Sequence, residues 1–103
     1  MQNDKKYIDK ELIRKMKIYC SSQERSKMDL EIILSKHKIN KIHTKNIINQ
    51  LILEDYLNEE RFSKSFCRGK LIIKKWGKKK IQYELRKKKI SEKDIQKAIE
   101  NID

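Results

Sequence analysis

Apolar residues recur at three- and four-residue steps along most of the chain, which is the spacing of one face of an α-helix. In the first half this pattern predicts a helix over residues 9–21, a second that begins at Ser26, and a third that begins at Thr44. Ser26 and Asp29 have the spacing of a capping box. The apolar rows are Leu12, Met16, Tyr19 and Cys20, then Leu30, Ile33, Leu34 and His37, then Ile47, Ile48, Leu51 and Ile52.

The second half predicts three more helices, over residues 58–75, over residues 78–88 and from Ser91 onward. Asn58 is the expected cap of the long helix, and Gly69 is expected to allow close approach of a neighbouring helix. Trp76, at the end of the long helix, is expected to pack in the core or at a hinge, and stacking on a base is the alternative. The inward residues are predicted to be Phe62, Phe66, Ile73, Ile81, Leu85, Ile95, Ala98, Ile99 and Ile102.

The two halves resemble each other, which indicates an internal repeat. With Ser26 placed over Gly77, Leu30 aligns with Ile81, and a four-residue shift then aligns Thr44 with Ser91. A module of this size buries too little apolar surface to be stable alone, so two modules are expected to stack. The predicted fold is therefore all-α, with about six helices in tandem three-helix modules over residues 1–56 and 57–103.

Composition supports helices and adds a strong asymmetry of charge. The 103 residues contain no Pro and two Gly, and the formal net charge is +12 at pH 7. Residues 61–90 hold 13 Lys or Arg against one acid, Glu84, whereas residues 1–60 hold 12 against 10. Codon bias alone would spread lysine along the chain. The concentration in one segment therefore predicts a binding surface for a polyanion.

Helical spacing sorts these cations away from the apolar rows. On the predicted long helix Arg61, Lys64, Arg68 and Lys75 fall together, in a position to follow one phosphate backbone. On the next helix an aromatic residue, Tyr83, lies among cations and is available to stack on a base. An ordinary solvated helix surface is the alternative explanation. The candidate nucleic-acid contacts are Arg61, Lys64, Arg68, Lys75, Lys79, Tyr83, Arg86 and Lys87.

No catalytic or metal-binding pattern accompanies this surface. His37 and His43 have no Cys or His at the spacing that would complete a zinc pair, and Gly69 and Gly77 do not fit a phosphate-binding loop. Two cysteines without a CxxC pattern predict thiols in a reducing compartment rather than a disulfide. We therefore expect a cytoplasmic, non-enzymatic protein that needs no cofactor and binds neither a small-molecule substrate nor a membrane.

A family resemblance lies in the same residues. The run from Tyr56 to Phe62, Lys75-Trp76-Gly77 and Glu84-Leu85 resembles the middle module of RecX proteins, and further matching positions are Phe66, Arg68, Ile81 and Ile90. Gln23 to Ser26 with Leu30 resembles the end of their first module. One difference is local: RecX proteins commonly have Gly where this chain has Lys89, and a left-handed helix cap at Lys89 would cost about 1 kcal/mol relative to Gly.

The resemblance implies tandem three-helix repeats that bind in the groove of a RecA filament on DNA and modulate the recombinase, usually by inhibition. RecX proteins typically have a third such unit, so this chain is expected to correspond to the first two. Two other functions remain open: a non-specific nucleic-acid binder, since helix triplets also resemble helix-turn-helix modules, and a scaffold for an acidic protein partner.

Overall fold

The computed structural model describes residues 2–101, with the side chains of residues 10–101. Within that range every regular element is an α-helix, which confirms the all-α prediction. The six helices are α1 (Gln2–Ser22), α2 (Lys27–Lys36), α3 (Lys41–Leu53), α4 (Glu59–Ile72), α5 (Lys78–Lys87) and α6 (Glu92–Glu100). No helix among the described residues is both long enough and apolar enough to cross a membrane.

The chain divides into two compact units, unit 1 over Met1–Leu57 and unit 2 over Asn58–Asp103. Each unit contains three helices and a core of its own. The core of unit 1 is formed by Leu12, Met16, Cys20, Leu30, Leu34, Ile47, Ile48, Leu51 and Leu57. The core of unit 2 is formed by Phe62, Cys67, Ile81, Leu85, Ile90, Ile95 and Ala98.

Side-chain caps fix where the helices of unit 1 begin. The predicted capping box of α2 is present: the Asp29 N–H donates to Ser26 Oγ at 3.2 Å, and the Ser26 N–H donates to Asp29 Oδ2 at 2.9 Å. The predicted start of α3 at Thr44 is wrong, because Asn40 accepts a hydrogen bond from the His43 N–H at 2.8 Å and α3 begins at Lys41. An Asn side chain caps as well as Ser or Thr does.

Three further expectations for unit 1 are corrected. Helix α1 begins at Gln2 rather than at residue 9. Two residues of the predicted apolar rows are exposed, His37 at the C-cap of α2 and Ile52 near the end of α3. His37 lies past the last residue of α2, and helix boundaries are the least accurate part of a prediction from spacing.

In unit 2, Asn58 caps α4 as predicted, accepting from the Arg61 N–H at 2.9 Å. The helix ends at Ile72 and not at Lys75, and the Trp76 N–H donates to the Lys70 carbonyl at 3.0 Å. Ile73 therefore points outward with 77% of its surface exposed, so its predicted burial is wrong. Phe62 is buried as predicted, and Phe66 is only partly buried.

Gly69 does not serve the purpose predicted for it. A Cβ atom built on this residue would meet nothing within 4 Å beyond its own helical turn. No neighbouring helix therefore approaches closely at this point. In the rest of unit 2, Ile81, Leu85, Ile95 and Ala98 are buried as predicted, and Ile102 lies outside the described residues.

Four helices end in a left-handed residue that is not glycine: Lys38, Asp55, Lys75 and Lys89 have φ of 59°, 63°, 58° and 61°. An apolar or aromatic residue follows each one and packs inward. At Lys89 the Ile90 N–H donates to the Leu85 carbonyl at 3.1 Å, and at Lys38 the Ile39 N–H donates to the Leu34 carbonyl at 3.1 Å. At Asp55 the Tyr56 N–H donates to the Leu51 carbonyl at 2.9 Å, so these three ends are Schellman-type, which satisfies the last carbonyls of the helix and buries the next side chain. At Lys75 the Trp76 N–H donates instead to the Lys70 carbonyl, one residue further back.

The structure also revises the repeat. The caps Ser26 and Gly77, the left-handed residues Lys38 and Lys89, and the caps Asn40 and Ser91 are all 51 positions apart. Leu30 and Ile81 have the same separation. The predicted four-residue shift is therefore wrong, and α2–α3 corresponds to α5–α6 residue for residue.

Candidate nucleic-acid interface

The candidate contact residues all lie in unit 2, but they do not follow one continuous helix. Arg61, Lys64 and Arg68 are on α4, with Arg68 the most exposed of the three. Lys75 lies beyond the helix in the left-handed turn before α5. The predicted spacing of Lys75 along the long helix is therefore wrong, because α4 ends at Ile72.

Lys64 is engaged in an ion-pair network. Its Nζ is 3.4 Å from Glu60 Oε2, and Lys97 Nζ of α6 is 3.0 Å from Glu60 Oε1. The hydrogen bonds from Lys97 and then Lys64 hold the pKa of Glu60 below its ordinary value. Glu60 thus links α4 to α6 and offsets part of the charge that Lys64 would offer to a phosphate.

Arg86 has a carboxylate partner that the sequence did not indicate. Its Nε is 3.0 Å from Glu92 Oε2, and its Nη2 is 2.9 Å from Glu92 Oε1. This two-pronged hydrogen bond lowers the pKa of Glu92 and raises the pKa of Arg86. Both side chains are well exposed, so the pair orders Arg86 without burying it.

Tyr83 and Lys87 lie side by side on the outer face of α5. Tyr83 is 61% exposed. Lys87 Nζ is 5.5 Å from the centroid of its ring and 3.4 Å from Glu84 Oε2. An exposed phenol beside an ammonium group is a suitable platform for a stacked base.

Helix α5 begins in strongly positive surroundings. Its first three residues are Lys78, Lys79 and Lys80, its first turn contains no acid, and Gly77 provides no side-chain cap. The positive end of the helix dipole adds to these charges. Lys79 and its neighbours are all exposed, so the turn between α4 and α5 presents a dense positive charge to solvent.

Sequence reasoning missed a set of lysines that lie on aromatic rings. Lys70 Nζ is 4.9 Å and Lys80 Nζ is 4.3 Å from the centroid of the Trp76 ring. Lys70 Nζ is also 5.3 Å from the Phe66 ring, and Lys88 Nζ is 5.8 Å from the Phe62 ring. The spacing of four residues from Phe66 to Lys70 on α4 was an available signal. Helical spacing gave no signal for the contacts of Trp76, because Trp76 lies in the turn before α5.

A separate groove lies in unit 1, between α2 and α3. It has a volume of about 590 Å³ and is lined by Lys27, Glu31, Ser35, Ile39, Lys41, Thr44, Lys45, Ile48 and Asn49. Its lining comprises three lysines, two isoleucines, three neutral polar residues and one acid.

Within the part of the chain described here, no three His, Cys, Asp or Glu side chains converge to hold a metal ion. Cys20 and Cys67 are both buried. Burial raises the pKa of the Cys67 thiol, which keeps it protonated and a poor nucleophile.

Comparisons with known proteins agree with the helical architecture. Residues 58–99 match the family described as RecX, second three-helix domain. The chain is 33% identical over 85 residues to a regulatory protein RecX of Streptococcus uberis, covering 82% of this chain and 33% of that protein. It is 29% identical over 85 residues to a regulatory protein RecX of Lactobacillus gasseri, covering 82% and 31% respectively. The chain thus spans about a third of the length of these curated relatives.

A solved structure shares the fold. The crystal structure of a regulatory protein RecX superimposes with a TM-score of 0.83 at 22% sequence identity. The match covers 92% of this chain and 47% of that one. This confirms the predicted resemblance of the chain to RecX proteins in its helical repeats.

Proposed function

From the premise that the chain belongs to the RecX family of regulatory proteins, we propose that it binds a RecA-type recombinase filament on DNA. In this proposal it modulates recombination and ATP hydrolysis by the filament, and the expected effect is inhibition. The observation that carries the proposal is the match of unit 2 to the RecX second three-helix domain. In this proposal the chain acts in the cytoplasm by binding, without catalysis of its own and without a cofactor.

Charge supports a role for DNA in that interaction. The segment 61–90 has an excess of 12 positive charges, and the turn between α4 and α5 exposes several of them. A surface of this kind attracts the phosphates of single- or double-stranded DNA with little preference for sequence. Four engaged phosphates would give a log-log slope of binding constant against salt of about −3 on single strands.

Recombinase ATP hydrolysis on single-stranded DNA, measured with increasing amounts of this protein, tests the proposal. We expect hydrolysis to change with dose and the protein to co-sediment with filaments more tightly than with free recombinase or bare DNA. The double variant Arg68→Glu, Lys79→Glu should lose both effects. Its matched control, Lys36→Glu with Lys45→Glu, makes the same charge change in unit 1 and should retain them.

A plain nucleic-acid binder is the second candidate, favoured by the exposed ring of Tyr83 among cations. Equal affinity for bare DNA and for filaments, with unchanged ATP hydrolysis, would support that function and contradict the regulator. Absence of any affinity for DNA or RNA would instead support a scaffold for an acidic protein partner.

A further inference from the structure

One aromatic cluster of unit 2 holds two lysines in place. It consists of Phe66, Lys70, Trp76 and Lys80. The Phe66 and Trp76 rings meet edge to face, with centroids 6.4 Å apart and planes at 69°. Lys70 and Lys80 each place Nζ within 5 Å of the Trp76 ring centroid. One ring therefore joins the end of α4 to the first turn of α5.

These two lysines differ from two of the predicted contacts, Lys64 and Arg86, in what holds them. Lys64 and Arg86 each lie within 4.0 Å of a carboxylate, and Lys87 lies beside both a carboxylate and the Tyr83 ring. In the part of the chain that the structure describes, neither Lys70 nor Lys80 has such an ion pair. A carboxylate orders a cation but competes with any incoming phosphate, whereas an aromatic face orders the cation and leaves its charge in place.

We propose that Lys70 and Lys80 are the principal phosphate contacts of unit 2 on single-stranded DNA, and that Trp76 is the positioning residue that presents them. The inference rests on the DNA-binding part of the proposed function. It moves the centre of the interface from the ion-paired cations to the last turn of α4 and the first turn of α5, where Lys70 and Lys80 lie. Neither ammonium group has to break an ion pair before it binds a phosphate. The Trp76 ring already orders both of them, so they lose less side-chain freedom on binding.

The test compares two double variants that remove the same charge. Lys70→Gln with Lys80→Gln removes the ring-bound pair, and Lys64→Gln with Arg86→Gln removes a carboxylate-paired set. Binding of fluorescently labelled oligo(dT) is measured by anisotropy at several salt concentrations. The first variant should flatten the log-log slope by about 1.4, corresponding to two phosphates on a single strand, and the second by clearly less.

Trp76 supplies an independent readout, because it is the one tryptophan of the chain. Addition of unlabelled oligo(dT) should change its fluorescence in the wild type and much less in the Lys70→Gln, Lys80→Gln variant. Trp76→Leu should weaken binding by about two- to five-fold, the amount expected from loss of a cation–π contact, and Trp76→Phe should restore most of it. Circular dichroism establishes that each variant keeps its helices.

The outcomes separate the two proposals. If the wild type binds oligo(dT) and both double variants flatten the slope equally, the charge acts diffusely; this inference is then wrong and the proposed function stands. The same conclusion follows if Trp76→Leu binds like the wild type. If the wild type itself does not bind DNA, the DNA-binding part of the proposed function fails together with the inference.

Discussion

The guanidinium of Arg86 and the carboxylate of Glu92 form a two-pronged pair, with Nη2 2.9 Å from Oε1 and Nε 3.0 Å from Oε2. The two residues lie on either side of the turn between α5 and α6. Helical spacing made Arg86 a candidate nucleic-acid contact, among the cations around Tyr83. In the structure its fork already binds an acid, so a phosphate must compete with Glu92 for it.

Glu92→Gln is expected to strengthen DNA binding, because it releases Arg86 for phosphate. The log-log slope against salt should steepen by about 0.7 on single strands, corresponding to one additional contact. Glu100→Gln is the matched control: it removes the same charge from α6, but Glu100 accepts from Gln96 and not from a cation. Equal effects of the two variants in an anisotropy titration would show that only net charge matters.

Low pH should destabilise unit 2, because it protonates Glu60. The folded-state pKa of Glu60 is lowered from its ordinary value of 4.5 by Lys97 and Lys64. The stabilisation that ionised Glu60 contributes through Lys97 and Lys64 is therefore fully present above about pH 4.5. It is lost as the pH falls through the folded-state pKa of Glu60. The melting temperature of Glu60→Gln should be lower than that of the wild type at pH 7, and the difference should shrink toward pH 3. A constant difference across that range would contradict the prediction.

Truncation to alanine should cost much stability at Leu85 and almost none at Ile73. Leu85 is fully buried, so Leu85→Ala removes core contacts and should cost about 2–5 kcal/mol of unfolding free energy. Ile73 is 77% exposed, so Ile73→Ala should change the unfolding free energy by no more than about 0.5 kcal/mol. Urea unfolding followed by circular dichroism measures both. A large cost at Ile73 would mean that this residue is covered.

Lys89→Gly should stabilise the protein. A non-glycine residue with φ of 61° is strained, and glycine relieves that strain, so the gain should be about 1 kcal/mol. Gln96→Gly, in the interior of α6, is the control and should lose about 1 kcal/mol. If both variants are destabilised alike in thermal unfolding, the left-handed end at Lys89 is not a source of strain.

Gly69→Ala should also stabilise the protein, by about 0.5–1 kcal/mol. The added methyl group meets no atom within 4 Å outside its own helical turn, and alanine costs less backbone entropy in a helix than glycine does. Thermal unfolding of the single variant measures the gain. Destabilisation by more than about 1 kcal/mol would indicate that another surface packs against Gly69.

The sequence alone was sufficient for the fold class and for most of the core. Leu30, Leu34, Ile81 and Leu85 lie at helical spacing in long segments that neither Pro nor Gly interrupts, and all four are buried. Local chemistry also gave the caps at Ser26, Asn58 and Ser91, because capping depends on residues three positions apart. The resemblance to RecX proteins came from a combination of such short-range positions.

The ends of helices and the state of each cation were decided by tertiary structure. Helix α4 ends at Ile72 because the chain turns back and packs Trp76 against the core, a contact that spacing along a helix does not contain. The partner of Lys97 is Glu60, 37 positions away, and an ion pair of that span forms only after α4 and α6 have packed together. Helical spacing determines which side of a helix a cation lies on, but only the packed fold determines whether an acid, an aromatic ring or solvent lies beside it.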